Sequence, residues 1–247
     1  MTIQFEWQKN EILDLLASCE KDGLFPFISK YVRKEDTILE SGCGLARRIK
    51  NLETKVYNCR GLEYSSDTVK TIHEIWPELD LFVGEVLRHP FKACSFDAVI
   101  SLGVVEHFEE GPEKALSDIF RILKLGGTGI ITVPCLNTIR GIKYPFTHDK
   151  LVFYSKKRGE PKKFFKYRFS PDYFLDTVKA FGFEVLEQKP FAHIDRFYLE
   201  LDPLHIIVKF SHWKFDPEDL WLNRLLARIP YQRSHMLIIV RKPIEVR

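Results

Sequence analysis

Between residues 36 and 135, five short apolar runs alternate with segments of helical pattern, and that alternation constrains the fold more than any other feature of the chain. The run "TILES" leads through a glycine turn into a helix through "RRIKNL". "YNCRGLEY" leads into "SSDTVKTIHEIW", whose serines are placed to cap a helix. "LDLFVGE" and "FDAVISL" read as the third and fourth strands. "GPEKALSDIFRILKLGG" has Pro112 near its start and Gly126 and Gly127 at its stop, ahead of the β-branched fifth strand "TGIITVP". Strands and helices at this spacing predict a parallel sheet covered by helices on both faces.

Outside this stretch the rhythm changes. Before it, "NEILDLLASC" and "LFPFISKYV" read as amphipathic helical pieces, the second interrupted at Pro26. After Pro134 comes an irregular stretch too long for an ordinary connection and therefore functional or partly ordered. The helix "SPDYFLDTVKAFGF" and the strand "EVLEQKPF" follow. A second irregular stretch holds the amphipathic helix "DPEDLWLNRLLARIP", and "HMLIIVRK" closes the chain as a strand. One domain accounts for this: a helical segment at 1–35, a core half at 36–135, and insertions at 136–170 and 191–230.

The chain has 247 residues, 45% of them hydrophobic and 29% charged, the composition of an ordinary globular protein. No apolar run reaches the ~18 residues needed to span a bilayer. The opening "MTIQFEWQKNEILDLL" has acids and amides where a signal peptide is apolar, so a cytoplasmic location is expected. The five cysteines (Cys19, Cys43, Cys59, Cys94, Cys135) are scattered without a CxxC pair. That argues against a disulfide framework and a zinc site, and no metal is expected. Net charge is +3, yet residues 139–168 carry ten Lys/Arg against two acids, interleaved with seven Phe/Tyr.

The turn "ILESGCGLARR" carries the functional information. A strand, glycine turn and helix suit either a dinucleotide, with its pyrophosphate at the helix N-terminus, or S-adenosylmethionine, which has a ribose but bears cationic groups in place of phosphate. Glu63, at the end of the second strand, fits ribose recognition in both cases. The pattern GxGxxG would need glycine where Arg47 stands, and Glu40 would oppose a pyrophosphate. A cation would be favoured there. At an effective dielectric near 20, opposite charges ~4 Å apart attract by roughly 4 kcal/mol. Glu85, in "FVGEV", adds a third acid after the third strand, in place to accept from an adenine amino group.

These residues resemble the class I S-adenosylmethionine-dependent methyltransferases, especially the group acting on small molecules. The family's motif, an acid, any residue, then GxGxG, reads here "ESGCGLA", with Glu40, Gly42 and Gly44 matching and Ala46 departing at the third glycine. The alanine predicts slight crowding at the helix start. The resemblance implies a ribose-binding acid at Glu63 with Tyr64 beside the adenine, and adenine-side contacts from Glu85 and Val86. It also implies methionine-side contacts from Ser101, Leu102 and Gly103 in "SLGVVEHF". It covers residues 36–135 and implies a Rossmann-like α/β sheet of seven strands, order 3-2-1-4-5-7-6, the last antiparallel. The cofactor is then S-adenosylmethionine and the product S-adenosylhomocysteine.

Methyl transfer from a sulfonium needs alignment and exclusion of water more than covalent help. A hydroxyl acceptor also benefits from a general base. His107 is the best-placed base, against a structural role for the same ring; His148, at the mouth of the first insertion, ranks level with it or below. His73 and His212 read as surface or packing residues. Cys43 reads as small apolar filler and Cys135, after Pro134, as a bystander. The Asn/Asp-Pro-Pro-Tyr signature of amino-methylating nucleic-acid enzymes is absent. The expected acceptor is an oxygen, or failing that a nitrogen, of a small, anionic or lipid-linked metabolite. The basic insertion allows peripheral membrane contact through 139–168. One basic loop without an RNA module is thin support for nucleic acid. An RNA or protein methyltransferase and a non-catalytic cofactor-binding partner are the alternatives, and monomer and dimer both stay open.

Overall fold

Successive residues of a strand face opposite sides of a sheet, so a strand covered on both faces must be apolar at nearly every position. Five strands precede residue 135, β1 (Thr37–Ser41), β2 (Asn58–Glu63), β3 (Leu81–Val83), β4 (Phe96–Leu102) and β5 (Leu123–Pro134), and the central β4 and β5 come closest to that demand. With β8 (Glu184–Phe191) and β9 (His235–Arg241) they form a seven-stranded sheet in the order β3-β2-β1-β4-β5-β9-β8. β1 to β5 pair in parallel, whereas β9 runs antiparallel to both β5 and β8. This is the expected order, with β8 and β9 as the sixth and seventh strands of the sheet in chain order. A separate antiparallel pair, β6 (Lys150–Ser155) and β7 (Lys163–Phe169), stands in the first insertion. The computed structural model describes residues 23–136, 149–155, 163–191 and 235–245. The helix expected at 217–228 and the residues His148 and His212 lie outside them.

Alternation sorts the core into two faces. Leu39, Val99, Ile131 and Ile238 pack with Leu116 and Ile119 of α4 (Glu113–Ile122) and with Phe174 and Val178 of α5 (Pro171–Ala180). Their neighbours Ile38, Ile100, Ile130 and Ile239 pack on the other face with Ile28 of α1 (Phe25–Tyr31) and Leu52 of α2 (Arg47–Thr54). A third cluster joins Ile49 of α2 to Ile72 of α3 (Ser66–His73). Each such fully buried aliphatic side chain contributes about 1.5–3 kcal/mol. Among the described residues no helix is long and apolar enough to cross a membrane.

Two expectations are corrected. Pro26 stands in the first turn of α1 instead of interrupting it, because the first turn has no use for the missing N–H. α4 ends at Ile122, four residues before Gly126, and β5 starts at once with Leu123 paired to Phe96. The register then shifts, and Gly126 (φ +75°) carries the chain through the irregularity. The stretch 136–170, expected to be functional or partly ordered, contains the antiparallel pair β6–β7. Its β7 half follows β5 closely: Leu136 N–H donates to Phe169 O (2.9 Å).

Candidate functional site

Strand order reverses between β1 and β4, so the crevice at their carboxyl ends is where an open parallel sheet presents a ligand site. Four connections meet there. The first is the glycine turn after β1. Gly42 (φ +79°) and Gly44 (φ +52°) take left-handed conformations that favour glycine, and Ala46 (φ +53°) takes the same one. The backbone therefore explains the family's third glycine. Alanine here bears a conformational strain of about 1–2 kcal/mol.

The turn's amides are committed within the protein. Gly42 and Cys43 N–H both donate to Leu62 O (2.9 Å each), Ala46 N–H donates to Cys43 O (2.9 Å), and Gly44 N–H donates to Glu63 Oε2 (3.0 Å). A phosphate cradle keeps such donors for its ligand. Glu63, at the end of β2, uses its other oxygen to accept from Ser65 N–H (3.0 Å), while the Ser65 hydroxyl caps α3 through Thr68 N–H (3.2 Å). One carboxylate thus clamps two connections of the crevice. Tyr64 beside it is 44% exposed and open to a ligand.

Glu40 is buried in mid-sheet, opposite Gly61 of β2 and Ile100 of β4, and its Oε2 has no hydrogen-bond partner among the described residues. Burial pushes its carboxyl up to about 8; Arg47 opposes this and Glu63 reinforces it. The acid that the sequence presents as a charge is therefore mostly protonated at neutral pH.

The third connection carries Glu85, exposed, and Val86, buried. It doubles back, with Arg88 N–H donating to Glu85 O (3.2 Å). The fourth follows β4. Ser101 is fully buried, and its Oγ has no partner among the described residues. Leu102 is half-buried, and Gly103 (φ +67°) donates its N–H to Thr132 O (3.0 Å). Val104 then packs so closely over the glycine turn that a Cβ at Gly42 would sit 2.7 Å from its Cγ2.

A 3₁₀ turn, Val105–His107, continues the fourth connection and meets the hairpin. His107 Nδ1 lies 2.8 Å from Phe165 O, an acceptor, so Nδ1 carries the proton and Nε2 is the accepting atom of the neutral ring. Burial holds His107 below its ordinary range. Glu106, 2% exposed, has its Oε1 3.7 Å from His107 Nε2. Its Oε2 has no partner among the described residues, and burial raises the carboxyl to about 7 against the pull of Lys166 and Arg168. Tyr167 OH donates to Glu109 O (2.7 Å), a second tie between hairpin and turn.

Other singled-out residues stay apart from the crevice chemistry. His73 Nε2 bonds to Leu79 O (3.1 Å). Cys43 and Cys135 are buried in packing, and no group of three or more metal-ligating side chains occurs among the described residues. Sequence reasoning missed His89, which reaches Ser41 at the end of β1. Its partners lie 48 and 29 residues away, and no local signal announces them.

Residues 39–131 match the family model described as a methyltransferase domain. Among curated proteins the chain is 28% identical over 97 residues to one from Mycolicibacterium smegmatis described as a "probable S-adenosylmethionine-dependent methyltransferase", covering 39% of this chain and 37% of that one. It is 32% identical over 132 residues to the Xenopus tropicalis tRNA (carboxymethyluridine(34)-5-O)-methyltransferase, covering 51% of this chain and 18% of that one. The chain thus spans well under half the length of either relative. A solved S-adenosylmethionine-dependent methyltransferase from Methanosarcina mazei shares the fold with a TM-score of 0.63 at 15% identity, over 89% of this chain and 98% of that one. The match at 39–131 is to a methyltransferase domain, and the sheet order around it is the fold of solved S-adenosylmethionine-dependent methyltransferases, to which the chain is similar.

Proposed function

We propose that the protein transfers a methyl group from S-adenosylmethionine to oxygen, or failing that nitrogen, of a small anionic or lipid-linked metabolite. The observation that carries this reading is the glycine turn. Four of its amides are committed internally, and Glu40, two residues before Gly42, is a buried carboxyl group whose Oε2 has no partner among the described residues. Such a site suits a cationic nucleoside better than a polyphosphate. The residues fit the cofactor. Glu40 Oε2 and Ser101 Oγ are buried polar atoms that await a partner, and Val104 closes over a turn without side-chain bulk at Gly42. Glu40, Gly42, Gly44 and Glu63 would hold the turn side, Tyr64, Glu85 and Val86 the adenine side, and Ser101, Leu102 and Gly103 the methionine side.

When bound, the cofactor supplies a methyl group already activated by its positive sulfur. The protein's part is to align the acceptor, exclude water and take a proton. The β6–β7 hairpin serves as cover, packed on the 3₁₀ turn through Phe165 and Tyr167. Its Lys166 and Arg168 lie within electrostatic reach of Glu106, and Lys166 within reach of His107. Those charges favour an anionic acceptor. His107, neutral with its proton held on Nδ1, presents Nε2 as base to an acceptor hydroxyl.

Calorimetry with S-adenosylhomocysteine tests the cofactor reading: saturable one-site binding is expected, and none by the folded protein would overturn it. His107→Gln tests the base. With a hydroxyl acceptor kcat is expected to fall about a hundredfold or more while affinity for S-adenosylhomocysteine holds. An unchanged kcat would remove His107 from proton transfer. A second reading, methylation of RNA, draws on the basic, aromatic hairpin and on the similarity to the tRNA methyltransferase. Polynucleotide binding that weakens steeply with salt would favour it, and no binding would dispose of it.

A further inference from the structure

His89 sits on the third connection, four residues after Glu85, and its side chain is fully buried. Its Nε2 lies 2.7 Å from Ser41 Oγ, and its Nδ1 lies 2.7 Å from Asp118 Oδ2 on α4. His89 N–H donates to the same Asp118 oxygen (2.6 Å). Arg121, one turn further along α4, completes the grip. It donates from Nε to Asp118 Oδ1 (2.5 Å), from Nη1 to Phe91 O (2.7 Å) and from Nη2 to His89 O (3.1 Å).

The proton positions follow. Burial opposes ionisation of Asp118, but hydrogen bonds from Arg121 and His89 outweigh it and hold the carboxyl below its usual range. An ionised Asp118 only accepts, so the proton of His89 is on Nδ1. Burial outweighs the attraction of Asp118 and keeps the ring neutral, so Nε2 has no proton and accepts from the Ser41 hydroxyl. The side-chain array Asp118–His89–Ser41 is therefore directional, with one hydrogen bond from each ring nitrogen position. Ser41 itself is fully buried, which rules out a nucleophilic role.

What it joins gives it meaning. Ser41 is the last residue of β1, directly before Gly42, whereas His89 anchors the connection that carries Glu85 and Val86. An apolar side chain could fill the same space without the cost of burying polar groups. Filling space is therefore not all that this position does. We propose that His89 is a positioning residue for the cofactor site, fastening the adenine-side connection to the start of the glycine turn. The proposal rests on the reading that this crevice binds S-adenosylmethionine.

Two amides separate the links. Glutamine can place an acceptor where Nε2 stands and keep the bond from Ser41. Asparagine can place a donor where Nδ1 stands and keep only Asp118. His89→Gln is expected to bind S-adenosylhomocysteine within about threefold of the wild type, and His89→Asn about tenfold more weakly, the range of one lost hydrogen bond. Ser41→Ala is expected to weaken binding similarly, and to add nothing in the His89→Asn background. Melting temperatures taken in parallel separate folding from affinity. In the cofactor-free protein, long-range proton–nitrogen spectra should show the His89 proton on Nδ1 at neutral pH. A proton on Nε2, or His89→Asn binding as tightly as the wild type, would overturn the proposal while leaving the cofactor reading intact. Failure of the wild type to bind would overturn both.

Discussion

Affinity for S-adenosylmethionine is expected to fall by nearly tenfold for each unit that pH is lowered below about 7, with Glu40 as the cause. In the empty protein burial holds its carboxyl at about 8, against an ordinary 4.5, so at pH 7 the group is mostly protonated. A cation in the crevice favours the ionised form. Binding must then release a proton, and a step that releases one proton weakens about tenfold per unit as pH falls. Calorimetry at pH 7 in two buffers of different ionisation enthalpy counts that proton directly. Glu40→Gln has nothing to release, so its binding should be weaker and nearly flat over the same range. A flat profile in the wild type would remove Glu40 from contact with the cation. The stability of the empty protein carries the opposite sign. A carboxyl whose folded pKa is raised gives stability that is complete below about 4.5 and lost as pH rises towards about 8. At pH 7.5 Glu40→Gln should therefore melt higher than the wild type, by about 4 °C or more. A variant that is more stable and binds less well is the mark of a group retained for its ligand.

Glu40 also marks where reading the sequence stops. That an acid stands two residues before Gly42, and another at Glu63 after the next strand, is visible in the spacing and pointed to the crevice and to its guest. That Glu40 is buried between β2 and β4, and so mostly uncharged, depends on strands that pair from 21 and 60 residues away. The central strands β4 and β5 were legible because their apolar, β-branched runs leave little choice, and the others because they alternate with helical patterns at a regular spacing. The hairpin was not, although Phe165, Tyr167 and Phe169 alternate with Lys166 and Arg168 at the period of a strand. The charge density around them reads as a solvated loop, and only packing on the 3₁₀ turn makes a sheet of it. The end of α4 was misplaced because Gly126 and Gly127 imitate a helix stop, whereas they serve the irregular pairing of β4 with β5. His89 was silent for a different cause. Its meaning lies wholly in Ser41 and Asp118, and neither has a fixed offset from it.

Gly42→Ala is expected to be the most damaging single methyl in the protein's glycine turn, through two separable costs. At φ +79° an alanine pays left-handed strain of about 1 kcal/mol. Its Cβ would also sit 2.7 Å and 3.0 Å from Val104 Cγ2 and Cγ1, and such overpacking costs about 1–3 kcal/mol. Together these should lower the melting temperature by about 8 °C. Binding of S-adenosylhomocysteine should disappear, because relief of the clash must move either the turn or the loop from Ser101 to Val104, and both wall the crevice. Val104→Ala in the same chain removes the clash and leaves the strain. The double variant should regain roughly half of the lost stability and part of the binding. Full recovery would mean that the backbone tolerates alanine here as it does at Ala46, directly before α2. No recovery would mean that the two loops do not meet as the structure has them. The intermediate result is the one that follows if the contact between Gly42 and Val104 sets the depth of the site.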